Sequence, residues 1–303
     1  MKEFELIDHL RSFNPTLGEG VLLPPGDDLG AVRMPGDQVL AGVDQVIGGV
    51  HLPVDAAPAR FARKVLRRSL SDVAAMAAIP TGGLVTAAVP RGLPESWTIE
   101  FADALNAEAS RQECPIFGGD VAAFGRHDGP PVVTATVLAT PDPVMGGRFL
   151  RRSGARPGDR IMVSGCFGNS LRADGRGHHE SFEPRVELAL TLHRHLGDSL
   201  HCLIDVSDGL LADSGHLARE SGVRFELRLE SVPQREGPGG VTSLSDGEDY
   251  ELCFTVGEDA DLPPELLQVK LSEIGGVSSG EGVVITEHGK VVESPRSGWE
   301  HQA

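Results

Sequence analysis

Apolar positions along the chain fall into short blocks with two different periods. Runs of strand length occur at 39–43, 83–89, 131–139, 160–164, 223–229, 250–256 and 282–286, bounded by glycine, proline and small polar residues. Between them the spacing turns helical. Over 57–78, Phe61, Val65, Leu66, Leu70, Val73 and Met76 recur at intervals that share one helix face, and Pro80 is expected to stop the helix. Stretches 94–112 and 185–196 read the same way, and 208–220 reads as a helix closed by Gly222 in the left-handed conformation. Strands and helices alternate, but several strands follow one another too closely for a strict βαβ repeat. The expected fold is therefore α/β with mixed sheets, in two halves. The Pro- and Gly-rich stretch 140–147 marks the expected boundary, giving domains 1–143 and 144–303. Residues 235–240 read as a surface loop. The segment 172–179 reads as a polar excursion whose His178-His179 pair is solvated, because no acidic or cysteine partner stands at ligand spacing. No repeat of solenoid period is present.

Charge changes the picture. The 303 residues carry 27 Lys and Arg against 44 Asp and Glu, a net charge of −17. Such a surface repels phosphate backbones, which argues against nucleic acid and anionic membranes as partners. It is compatible with phosphate chemistry when divalent cations stand between. No apolar run reaches transmembrane length, and Met1-Lys2-Glu3-Phe4-Glu5 lacks the apolar stretch of an export signal. A cytoplasmic protein with reduced thiols is expected. Cys114, Cys166, Cys202 and Cys253 have no zinc-ligand spacing. Cys166, in Ser164-Gly165-Cys166-Phe167-Gly168, has no identifiable general base and reads as a small buried side chain after a strand rather than a nucleophile.

The aspartates gather at element ends beside glycine: Gly26-Asp27-Asp28, Asp44 after a strand, Asp72 on a helix, Gly118-Gly119-Asp120, and Asp205-Val206-Ser207-Asp208-Gly209. Carboxylate oxygens are hard ligands suited to Mg²⁺. Taken singly, a Gly-Asp is more often a turn, and an Asp before a helix more often an N-cap; Ser207 and Asp208 are the most cap-like. Asp72 has no such structural reason to stand mid-helix. There is neither a Walker A loop nor a GxGxxG opening a helix, so a nucleotide would have to be held through metals.

In their order, these motifs resemble those of the thiamine-monophosphate kinase family, relatives of aminoimidazole ribonucleotide synthetase and selenophosphate synthetase. The matching stretches are Gly26-Asp27-Asp28, Val43-Asp44 with Gly49-Val50-His51-Leu52, Leu70-Ser71-Asp72-Val73-Ala74-Ala75-Met76 and Gly118-Gly119-Asp120. They continue with Arg152-Ser153-Gly154-Ala155-Arg156-Pro157-Gly158-Asp159, Asp205-Val206-Ser207-Asp208-Gly209-Leu210, Gly247-Glu248-Asp249-Tyr250-Glu251-Leu252 and Gly298-Trp299-Glu300-His301. The last two set this branch apart from its cousins. The resemblance implies two α/β domains, a homodimer through the N-terminal domain, and an ATP cleft that the C-terminal domain completes. It implies transfer of phosphate from ATP to thiamine phosphate. By position, Asp28, Asp44, Asp72, Asp120, Asp205 and Asp208 would hold several Mg²⁺ ions. Gly119, Asp120, Arg152 and Ser207 would contact ATP, and His51, Glu248 and Trp299 thiamine phosphate. Trp299 offers either a cation–π face to the thiazolium or an anchor for the tail.

The chemistry is consistent with this. A phosphate monoester, with a second pKa of about 6, is mostly dianionic at pH 7 and needs no general base; what it needs is relief of repulsion between two polyanions. The pattern also departs from the family. Gly42-Val43 replace a Ser/Thr-Thr pair, Val121-Ala122 replace Thr-Thr, Asp246-Gly247 replace a double glycine, Gly168-Asn169-Ser170 replace Gly-Asp-Ser, and Ser69 replaces an asparagine. Lost supporting hydroxyls weaken metal binding by roughly ten- to a hundredfold in other sites. Two other readings share the scaffold: a degenerate nucleotide-binding dimer without turnover, and a sister ATP-dependent enzyme. The sister enzyme lacks support, because the cysteines that two of its branches would require are not found early in the chain or at its end.

Overall fold

The computed structural model describes residues 9, 12–13, 15, 17–24, 31–125, 129–172, 174–237, 239–294 and 298. The chain divides into two compact units, one of Met1–Val73 with Ile79–Pro141 and one of Ala74–Ala78 with Asp142–Ala303.

The first unit begins with the short antiparallel pair β1 (Val21–Leu23) and β2 (Ala31–Val32). It continues through β3 (Leu40–Ile47), α1 (Pro58–Ala75), β4 (Ala78–Pro90), α2 (Glu95–Arg111), β5 (Ile116–Phe124) and β6 (Val132–Pro141). Four of the strands form a sheet in the order β3-β6-β4-β5. β3 and β6 are antiparallel, with Asp44 opposite Ala135. β4 and β5 are parallel, which a hairpin cannot achieve; α2 supplies the crossover. One face of α1 is apolar, and Phe61, Val65, Leu66 and Leu70 are fully buried. Each such side chain contributes about 1.5–3 kcal/mol. Ser69 Oγ donates to Ala135 O at 3.3 Å, holding α1 on the sheet. Pro80 does not stop this helix, contrary to expectation. It ends at Ala75, Ala77 takes a left-handed φ of 47°, and the strand resumes at once. Pro80 falls inside β4, before its register with β5 starts at Gly83, where extended backbone suits the proline φ.

The second unit contains β7 (Arg160–Ser164), α3 (His178–Ser181), α4 (Val186–Leu196), β8 (Leu200–Val206), α5 (Leu210–Ser221), β9 (Arg224–Arg228), β10 (Glu251–Val256), β11 (Glu265–Leu266), β12 (Val269–Ser278), β13 (Gly282–Glu287) and β14 (Lys290–Val292). Its sheet runs β14-β13-β9-β12-β7-β10-β8, with β11 beside β12. Its neighbouring strands are antiparallel except β13 with β9, which run parallel. The central strands are buried on both faces. Along β10, Leu252, Phe254 and Val256 join a core with Leu188, Leu192 and Leu196 of α4. The intervening Cys253 joins the core of α5 with Leu210, Leu217 and Phe225. Strands covered on both sides read as near-continuous apolar runs, broken in β10 only by the buried Glu251 and Thr255, which is why these runs stand out in the sequence. All four cysteines are free thiols. Among the described residues no helix is long and apolar enough to cross a membrane.

Candidate active site

In the first unit, β3 and α1 face each other across an acidic surface. Asp44, on β3, receives Arg68 of α1 at 3.5 Å on Oδ1, while its Oδ2 is buried with no hydrogen-bond partner among the described residues. Asp72 stands one turn beyond Arg68. A Cβ placed on Gly42, two residues before Asp44 on the same strand face, would lie 3.6 Å from Asp72 Oδ2. Asp44 and Asp72 are thus brought together. His51 sits in the turn after β3, its Nδ1 accepting from Ile47 N at 3.0 Å and its carbonyl from Lys64 Nζ at 2.9 Å. Gly119 and Asp120 are exposed on β5. Only glycine fits at 119, since a Cβ there would meet Val85 O at 2.0 Å. β3 and β5 are opposite edges of the sheet, so about 14 Å of strand spacing separates the strand of Asp120 from that of Asp44. Asp28 and Trp299 lie outside the described residues.

In the second unit, β8 delivers Asp205 to a sharp turn. Gly209, with φ 113°, makes that turn possible. The segment after it runs back alongside: Glu248 N donates to Ser207 O and Tyr250 N to Val206 O, both at 2.7 Å. Gly247 allows the approach, since a Cβ there would lie 2.8 Å from Ser207 O. Asp205, Ser207, Asp208 and Glu248 therefore share one corner. Arg152 is exposed before β7, and its charge, after burial and Arg219, helps to hold His216 of α5 below the ordinary histidine value.

Ser207 and Asp208 do not cap α5, contrary to the cap-like reading. The N-cap is Gly209, without a side-chain bond, and the N–H groups of Ser207 and Asp208 both donate to Asp213 Oδ2 at 3.0 Å. Burial, then the charges of Asp205 and Asp208, push the Asp213 carboxyl well above its usual range. Ligand atoms of Asp208, Asp213 and His216 lie within 4.8 Å of one another. Asp213 and His216 went unnoticed in the sequence, although residues three apart on a helix share a face. An open groove of about 1310 Å³ runs from Asp208 and His216 along α5 to Val283 and Ile285 of β13.

The Glu248–Glu251 segment is tied down by a set of residues that includes His178, His179 and Arg235, which read as solvent-facing in the sequence. Asp249 is fully buried and accepts from Ser170 Oγ at 2.5 Å, from Gly168 N and from Arg235. Burial raises its pKa to about 6 against these donors. Arg185 clamps Glu251 at 2.6 and 2.8 Å, and Ser164 adds a third bond. His178 Nε2 reaches Asp249 O at 3.0 Å, and His179 is fully buried beside Glu248. The His178-His179 pair is thus not solvated, although Arg172, Asp174 and Arg176 before it are exposed, and Arg235 is not merely part of a surface loop. Their partners lie far away in sequence, which local spacing does not register.

Residues 26–140 match the family model described as "AIR synthase related protein, N-terminal domain". A thiamine-monophosphate kinase of Caulobacter vibrioides is 34% identical over 97% of this chain and 90% of its own length. The chain belongs to the thiamine-monophosphate kinase family. Its expected enzyme class, a kinase, and its expected fold are borne out. The crystal structure of the thiamine-monophosphate kinase from Stenotrophomonas maltophilia K279a matches with a TM-score of 0.79 at 31% identity, covering 96% of this chain and 98% of that one. A second family structure, "AaThiL complexed with AMPPCP and TMP", matches with a TM-score of 0.70 at 26% identity, covering 99% and 97%.

Proposed function

We propose that this kinase transfers the γ-phosphoryl group of ATP to the phosphate of thiamine phosphate, giving ADP and thiamine diphosphate. A substrate phosphate oxygen attacks in line, forming one P–O bond as the bond to the ADP oxygen breaks. The relative complexed with AMPPCP and TMP supports this pairing of substrates. The observation that carries the reading is Asp44 Oδ2, a buried carboxylate oxygen without a hydrogen-bond partner among the described residues. Such an atom is costly to bury unless a cation meets it.

The donor set suits Mg²⁺, being mostly hard carboxylate oxygen. Asp28, Asp44, Asp72 and Asp120 in the first unit, and Asp205 and Asp208 in the second, would hold several ions. When bound, these ions neutralise the charge that the two phosphate groups bring together. The chain's own residues do the rest. Gly119, Asp120, Arg152 and Ser207 bind ATP; the guanidinium pairs with phosphate oxygens and the hydroxyl donates to them. His51, Glu248 and Trp299 hold thiamine phosphate, the carboxylate opposite a cationic ring system. No side chain needs to remove a proton, because the attacking phosphate is already dianionic at neutral pH. Residues 1–143 bind ATP and Mg²⁺ and form a homodimer, and 144–303 contribute Ser207, Asp208 and Glu248. The outer face of the four-stranded sheet supports the dimer, with Val43 63% and Leu84 36% exposed. Edge strands β3 and β5 support it too, since a second copy pairing edge to edge would bring an Asp120 toward Asp44.

The test is a coupled measurement of ADP and thiamine diphosphate from ATP, Mg²⁺ and thiamine phosphate. Equal amounts of both are expected, abolished by EDTA, with kcat reduced at least about a hundredfold by Asp44→Ala. ADP alone would indicate a sister enzyme, and ATP binding without either product would indicate a degenerate scaffold.

A further inference from the structure

Glu248 and Tyr250 both have left-handed backbones, with φ 66° and 52°. For residues with a Cβ, such a conformation persists only where the surroundings impose it. Part of that imposition comes from residues 170–182. Gly177 lets the chain turn inward, since a Cβ there would stand 2.2 Å from Ser170 O, and His179 N donates to Ser170 O at 3.2 Å. The turn then places three successive contacts on the strained segment. His178 meets Asp249 O, His179 Nδ1 lies 3.1 Å from Glu248 Oε2, and Phe182 stacks on Tyr250 with ring centroids 3.9 Å apart.

His179 is the one that touches a candidate substrate residue. Its side chain is fully buried, whereas that of Glu248 keeps 21% exposure. Its other ring nitrogen faces Gly175 O at 3.3 Å and Glu180 Oε1 at 3.6 Å. All three of these neighbours are acceptors and a neutral ring carries one N–H; placed on Nδ1, it donates to the Glu248 carboxylate, the nearest of the three. We propose that His179 is a positioning residue for thiamine phosphate binding: from inside the protein it fixes one oxygen of the Glu248 carboxylate and so sets the direction in which that carboxylate meets the cationic substrate. This rests on the reading of Glu248 as a thiamine phosphate contact. It predicts an effect on thiamine phosphate first, because the His179 ring meets the Glu248 carboxylate directly.

The full-length enzyme is assayed with each substrate varied in turn, for the wild type, His179→Gln, His179→Met, Glu248→Gln and the double variant His179→Met/Glu248→Gln. Methionine fills the buried space without donating, and glutamine keeps a donor. His179→Met should raise KM for thiamine phosphate about tenfold while KM for ATP and kcat stay within about twofold. His179→Gln should recover most of the loss, and the double variant should bind no worse than Glu248→Gln alone. If Glu248→Gln raises KM and His179→Met does not, the positioning role is overturned. If His179→Met and His179→Gln shift both KM values and the melting temperature together, the role is structural only, which also overturns it. If Glu248→Gln itself leaves KM unchanged, the assignment of Glu248 fails and takes the proposal with it. Should His179→Met not fold, His179→Gln and His179→Asn decide: equal, large KM increases in both would overturn the donor role.

Discussion

Glu108 of α2 shows what a buried carboxylate must collect in order to stay ionised. Its side chain is 4% exposed, and Arg67 of α1, itself 8% exposed, grips it at 2.8 and 3.2 Å. Arg111 and Gln112 add further donors. Burial alone would raise its pKa, but these hydrogen bonds outweigh burial and bring it down to about 2. A depressed folded pKa means that the stabilisation is complete above the unfolded value, near 4.5, and is lost as pH falls toward 2. Glu108→Ala leaves Arg67 buried without its main partner and should cost about 3–5 kcal/mol. Thermal melts should show the gap between variant and wild type narrowing below pH 4.5. At this scale the sequence was a partial guide. The aspartates beside glycine stood out because turn chemistry is local. Glu108 did not, because its Arg67 partner lies 41 residues away, and His179 stood out only as a solvated residue, its burial beside Glu248 being invisible to local spacing.

At the scale of elements, α3 and the segment before it depend on a histidine being neutral. Burial first, and then the charge of Arg235, lower the His178 pKa to about 4. The unfolded ring takes up a proton below about 6.5. Its contribution to stability is therefore present above that value and is lost as pH falls from 6.5 to about 4. Between those limits the melting temperature of the wild type should fall more steeply than that of His178→Gln, which can still donate to Asp249 O but cannot titrate. Elements buried on both faces, such as β7 and β10, were legible as apolar runs, and Gly222 closed α5 as expected, with φ 66°. β5 and β12 were not, since Gly118-Gly119 and Gly275-Gly276 interrupt them. At Gly119 and Gly275 a neighbouring backbone carbonyl comes within 2.0 Å of where a Cβ would be. A close strand approach thus erased the very pattern that advertises a strand.

For the molecule as a whole, the net charge of −17 is a store of repulsion that monovalent salt screens and a bound divalent cation removes locally. Millimolar Mg²⁺ should raise the melting temperature several degrees beyond NaCl of equal ionic strength, since a ligand at about a hundred times its Kd adds about 2.7 kcal/mol. Asp44→Asn should remove much of that increment. A weak Mg²⁺ response in the wild type would be the mark of the missing hydroxyls at Gly42, Val43, Val121 and Ala122. The two-unit α/β plan was legible because strand and helix periods alternate along the chain. The pairing order of the large sheet was not, because neighbours such as β13 and β9 are matched by tertiary packing rather than by adjacency in sequence.

The left-handed backbone at Glu248 has a consequence for how this position can evolve. Glycine and asparagine fit its φ better than glutamate does, so drift under selection for folding alone runs toward them. On the proposed role of Glu248 in holding thiamine phosphate, selection for turnover opposes that drift, and so does the His179–Glu248 contact. A lineage that gave up the reaction while keeping the scaffold would be expected to lose Glu248 early and Asp249, which is buried and fully bonded, late.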